Sequence, residues 1–95
     1  MSKALNRYST HARLPWDPAR AAFIRRNADH IRQFRSCHAS LVHSGGYIML
    51  VSYDTPVAIA NIGGALVMLD PTHYSSTTTR QIRWFLKDYC GINNP

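Results

Sequence analysis

Glutamate is absent from this chain, and its five aspartates, Asp17, Asp29, Asp54, Asp70 and Asp88, are scattered singly through 95 residues. Paired carboxylates, the usual apparatus of acid–base and glycosidic chemistry and of oxygen sites for Mg²⁺, are therefore not on offer. The phosphate-cradling and nucleophile patterns GxxxxGK[ST], GxGxxG and GxSxG are missing too. No catalytic residue, metal ligand set or cofactor is expected, and the chain reads as a non-enzyme. Cysteine is scarce: Cys37 and Cys90 lie far apart without metal spacing, and in a reducing compartment they should be buried thiols. The five histidines, His11, His30, His38, His43 and His73, form no HxxxH pair. No apolar run approaches the ~18 residues of a membrane span. The opening segment 1–7 starts basic but reaches no apolar stretch, unlike a secretory signal. A cytoplasmic protein with no membrane partner is the expectation.

What is abundant is positive charge, and all of the net charge sits in one place. Residues 1–35 carry Lys3, Arg7, Arg13, Arg20, Arg25, Arg26, Arg32 and Arg35 against Asp17 and Asp29, which accounts for the whole net charge of +6. Residues 36–95 balance, with Arg80, Arg83 and Lys87 against three aspartates. Such asymmetry speaks about partners more than about fold, because a positive field draws anionic surfaces.

The pattern of elements is that of a single α+β domain. Residues 1–15 are basic and aperiodic and read as a flexible arm, leaving 16–95 for the domain. Asp17-Pro18 is a helix start, an N-cap followed by proline at the first helical position. Ala22, Phe23, Ile24, Ala28, Ile31 and Phe34 then recur at helical spacing, which predicts one Arg-rich helix running to about Arg35. Four strands follow, over 36–43, 47–53, 57–62 and 65–69, with turns at Ser44-Gly45-Gly46 and Asp54-Thr55-Pro56. Gly63-Gly64 is the strongest hairpin signal. A final helix, capped by Ser76 or Thr77, carries Ile82, Phe85, Leu86 and Tyr89 on one face and ends at Gly91. The expected architecture is a four-stranded antiparallel meander between an N-terminal Arg-rich helix and a C-terminal helix. Its expected core includes Phe23, Tyr47, Met49, Val51, Ile59, Val67 and Phe85. The central strand, Tyr47 to Tyr53, is apolar on both faces, and two helices packed on one side would leave the other for a second copy; a homodimer is expected on that ground.

Two constellations stand out. Arg25, Arg32 and Arg35, at i, i+7 and i+10 of the predicted helix with Arg20 and Arg26 nearby, make a stripe suited to phosphate or carboxylate, or equally a solvated helix face. The second couples Tyr53-Asp54-Thr55-Pro56-Val57-Ala58 with Tyr74-Ser75-Ser76-Thr77-Thr78-Thr79-Arg80-Gln81. Its run of hydroxyls at a helix entrance suits an anion; capping and loop anchoring are the simpler use of the same groups. Tyr74, Thr77, Arg80, Arg83 and Lys87 join the arginines as candidate partner or nucleic-acid contacts.

Tyr-x-Thr-x-Val-Ala at 53–58, followed by Tyr-Ser-x-Thr-Thr opening a terminal helix at 74, resembles a family of small domains of unknown function met chiefly in bacteriophages and prophages. The resemblance spans about residues 47–90, with Gln81 where many members have histidine. It implies a phage-borne accessory protein in the host cytoplasm and brings no activity with it. Two readings follow. One is a non-enzymatic inhibitor that binds a host defence protein or ribonucleoprotein complex, in the manner of an anti-CRISPR. The other is a basic nucleic-acid-binding regulator using the Arg-rich helix on phosphates. No helix-turn-helix is present to read bases.

Overall fold

The computed structural model describes residues 11–35, 38–72 and 74–92. The elements run α1 (Pro18–Arg26), β1 (His30–Gln33), β2 (Ala39–Ser44), β3 (Tyr47–Ser52), β4 (Thr55–Asn61), β5 (Leu66–Leu69) and α2 (Ser76–Cys90). The strands form one antiparallel sheet in the order β1-β2-β3-β4-β5. The meander is therefore α+β as expected, with one strand more than the four predicted.

The extra strand comes out of the predicted long helix. α1 begins as foreseen, with the Asp17 carboxylate accepting from the Ala19 N–H at 3.0 Å and Pro18 in the first turn. It stops after nine residues at Asn27, whose side-chain amide and backbone N–H both donate to the Phe23 carbonyl. Asn27 and Asp29 are weak helix formers that bond readily to nearby backbone. Asp29 accepts instead from the Gly45 N–H at 3.0 Å, which moors the chain to the β2–β3 turn. His30–Gln33 then pairs with Ser40–His43. The spacing of Ile31 and Phe34 fits a helix, but Asn27 and Asp29 end α1 with bonds of their own, and the β2 edge takes up the backbone of the residues that follow.

The two-residue hairpin turn lies at Gly45 and Gly46, whose φ angles of +52° and +90° side chains resist. The Gly63-Gly64 segment makes a longer connection, in which Asn61 accepts through its side chain from the Ala65 N–H. Pro56 sits beside a bulge at Leu50/Val51, where the ladder does not require its missing N–H.

Alternation along β3 explains its apolar run. Met49 and Val51 face one side with Val42, Ile59, Val67 and Met68, beneath Ala21 and Ile24 of α1. Ile48 and Leu50 face the other with Leu41, Ala58, Ala60 and Leu69, beneath Ile82, Phe85 and Leu86 of α2. The helices thus flank the sheet from opposite sides, and the open apolar face on which the homodimer expectation rested is covered. Of the predicted core, Met49, Val51, Ile59, Val67 and Phe85 are buried and Tyr47 is half-buried. Phe23 is a correction: it is 57% exposed, because the short α1 turns Ala21 and Ile24 to the sheet.

The cap of α2 lies one residue before the predicted ones, at Ser75, which accepts from the Thr78 N–H, and the helix ends at Gly91 in the left-handed region as foreseen. Cys90 is a free, half-buried thiol whose pKa burial pushes up to about 11. Cys37 and His73 lie outside the described residues, as does most of the predicted arm, residues 1–10. At the arm's end the Arg13 and Leu14 N–H groups donate to the Leu66 and Val67 carbonyls, covering part of the β5 edge. No helix is long and apolar enough to cross a membrane among the described residues.

Candidate functional site

The predicted arginine stripe does not form, because only Arg20, Arg25 and Arg26 of the set lie on α1. Arg25 reaches the Asp54 carboxylate and carbonyl in the β3–β4 turn. Both partners are well exposed, so the pair contributes little to stability. Arg32 lies on β1, where its Nε donates to His43 Nε2 at 3.1 Å and its Nη2 to the Tyr89 hydroxyl. Arg35 follows β1 with φ at +58°. Its guanidinium holds Asp88 at 2.9 Å and lies 4.6 Å from the Trp84 ring centroid. Two of the stripe's charges are therefore spent within the molecule.

The second motif closes the end of the sheet where β3 turns and α2 starts, and its polar contacts go to Ser52 and Asp70, outside the first motif. Ser52, Thr78 and Gln81 form a buried polar group: the Ser52 hydroxyl donates to Gln81 Oε1 and lies 2.9 Å from the Thr78 hydroxyl. Asp70 accepts from the Thr72 N–H and hydroxyl and from the Tyr74 hydroxyl. Burial first, and the Asp70 carboxylate second, push the Tyr74 phenol well above its ordinary pKa. Tyr74, Ser75 and Thr78 thus cap, brace and anchor, while Ser76 and Thr77 remain exposed in the first turn of α2. Gln81 Nε2 is buried without a hydrogen-bond partner among the described residues. An orphaned amide costs free energy, so Gln81→Leu is expected to leave the melting temperature within a few degrees of the parent or raise it. A loss above about 2 kcal/mol in urea denaturation would instead show that the Ser52 contact outweighs the orphan.

The outer side of α2 carries a feature that the sequence reading included without seeing as a unit. Arg80, Arg83 and Lys87 are exposed at i, i+3 and i+7, and none has an ion pair or hydrogen bond within the described structure. They form a row about 10 Å long at 1.5 Å per residue. Arg80 and Arg83 line a shallow depression of about 460 Å³ with Tyr74, Ser75, Ser76 and Thr79. Arg20 and Arg26 on α1 are also exposed and have no ion pair among the described residues. Helical spacing was the available signal for the row; it was hidden because this half of the chain has no net charge, and only folding assigns Asp88 to Arg35.

His30 and His43 are stacked across the β1–β2 pair, with centroids 4.2 Å apart. Burial, then the neighbouring His30 and Arg32 charges, lower the His43 pKa below 6.5. The folded state thus favours neutral imidazole, so stability is full above pH 6.5 and falls as the pH drops through that value. The melting temperature is expected to be lower at pH 5.5 than at pH 7.5, by less in His43→Gln than in the parent. An equal drop in both would assign the effect to other groups.

Among the described residues, no group of three or more His, Cys, Asp or Glu side chains is placed to hold a metal. Residues 22–94 match the model of a family of unknown function, DUF8033, and the chain belongs to that family. The match starts within α1 and includes β1, well before the motifs of residues 53–81. No curated protein and no solved structure is significantly similar to the chain.

Proposed function

We propose that this DUF8033 chain works by binding and without chemistry, docking its α2 face on a polyanion, with nucleic acid the first reading. The observation that carries this is the row of Arg80, Arg83 and Lys87, left without carboxylates where Arg25 and Arg35 have theirs. A row of about 10 Å spans about three nucleotide steps at 3.4 Å per step. α2 lies on the sheet and no described element projects from it to enter a groove, so contacts fall on phosphate and sugar, without base readout. Fluorescence anisotropy with random-sequence duplex DNA and RNA is expected to show affinity falling linearly in log salt. The absence of measurable affinity near 0.1 M salt overturns the nucleic-acid reading.

The same unpaired cations suit a second reading, docking on the acidic face of a protein. In it the chain is a phage-borne accessory protein that inhibits a host defence complex by occlusion in the host cytoplasm. Retention of a host protein complex after nuclease treatment, by a chain that binds no nucleic acid itself, selects it.

A further inference from the structure

β1 is an edge strand whose outer side no described residue covers, in contrast to β5, which takes Arg13 and Leu14. The Phe34 N–H donates to the Ala39 carbonyl at 2.9 Å. By antiparallel alternation the Arg32 backbone groups then also face β2, and those of Ile31 and Gln33 face outward. Two donors and two acceptors are thus presented on a strand whose four residues are all exposed. Natural edges are blunted by proline, a bulge, short length or charge; β1 has no proline or bulge, and besides its length of four residues its one formal charge is Arg32.

The side chains along this edge differ by face. His30 and Arg32 lie on the α2 side, where Arg32 meets Tyr89. Ile31, 57% exposed, lies on the α1 side. There a groove of about 540 Å³ runs beside Gln33, Ser40, His38 and Tyr53. Tyr53 is 59% exposed and stacked on His38. Arg32 is the telling group. Its guanidinium is held in place by two neutral partners, His43 and Tyr89, and no carboxylate among the described residues neutralises it.

We propose that this edge takes an extended acidic segment of a partner protein as a sixth strand, pairing with the backbone of Ile31 and Gln33. A carboxylate of that strand meets Arg32 on the α2 side, and an apolar side chain packs beside Ile31 on the other. Alternate acidic and apolar residues supply both, since strand side chains change face at every residue. A second copy of this chain is a poor occupant: two β1 strands paired through Ile31 and Gln33 bring Arg32 opposite its own image.

The probe is a blocked octapeptide of alternating glutamate and valine, with a lysine–valine peptide as control, titrated into the ¹⁵N-labelled full chain. Exchange of the Ile31 and Gln33 amides is expected to slow about tenfold or more at saturation, while those of Arg32 and Phe34, already bonded to β2, change little. The lysine peptide is expected to produce no such protection. Ile31→Pro removes an outward donor without losing an internal hydrogen bond, and both it and Arg32→Gln are expected to weaken acidic-peptide binding about tenfold or more. Gln33→Pro serves the same purpose should Ile31→Pro fail to fold. The proposal is overturned if millimolar peptide leaves the Ile31 and Gln33 amides unchanged, if the changes fall only on the Arg80–Lys87 face, or if the folded proline variant binds like the parent. Protection of those two amides in the free chain that disappears on dilution would assign the edge to a second copy and overturn it as well.

Discussion

Phe85→Ala is expected to cost about 3–5 kcal/mol, the range for an aromatic side chain removed from a closed core. Phe85 is fully buried in the layer beneath α2 and packs edge-on against Phe34, with ring centroids 6.4 Å apart. Phe34 closes that layer from the end of β1, so the cavity would sit where α2, β1 and the sheet converge. For a domain of this size each kcal/mol shifts the melting temperature by about 4–8 °C, which puts the expected drop above about 12 °C. Phe23→Ala is the internal control. Phe23 resembles Phe85 in the sequence pattern, yet it stands on the outer side of α1, and its removal is expected to stay within about 0.5 kcal/mol. Thermal and urea melts of the two variants side by side are the measurement. Equal losses would place α1 differently on the sheet, and an unmoved Phe85→Ala melt would detach α2 from it.

Replacing Arg80, Arg83 and Lys87 together by alanine is expected to produce the largest change in binding. With about 0.9 counterions released per phosphate contact on duplex DNA, loss of three contacts flattens the slope of log affinity against log salt by about 2.7. Between 50 and 200 mM salt, the parent then loses about 40-fold more affinity than the variant does. Deleting Arg25 and Asp54 together removes an exposed pair that cancels itself, and the slope should stay unchanged. Anisotropy across a salt series for the three proteins provides the comparison. A slope that responds to the Arg25–Asp54 deletion and not to the α2 variant would move the polyanion surface to α1.

His43 illustrates why the site was only partly legible in the sequence. Its position on a strand was readable, but its pKa depends on burial first and then on His30, which the helical reading placed on a different element. The same misplacement hid Arg32. At i+7 from Arg25 on a helix it would join a solvated stripe; on β1 it is clamped between an imidazole and a phenol. The motif residues fared better, because capping is local. A serine at the entrance of α2, glycine at its exit, and Asp17-Pro18 at the start of α1 each act within one turn of the chain.

The sequence by itself determined what is local or periodic: the alternation in β2, the apolar runs of β3 to β5, the start of α1 and that of α2 to within a residue, the glycine turn at 45–46, the apolar face of α2, and the absence of paired carboxylates. Tertiary structure decided what depends on distant partners. It turned His30–Gln33 into an edge strand, since Asn27 capped α1 and β2 offered a ladder that no local preference records. It sent α1 and α2 to opposite faces, which the two-sided apolar run of β3 permits but does not specify. Above all it chose which cations are neutralised. Net charge is a property of composition, but a free charge is one that folding has brought near no carboxylate. That is why the lopsided first third spends Arg25 and Arg35 on Asp54 and Asp88, while the balanced second part exposes the row on α2.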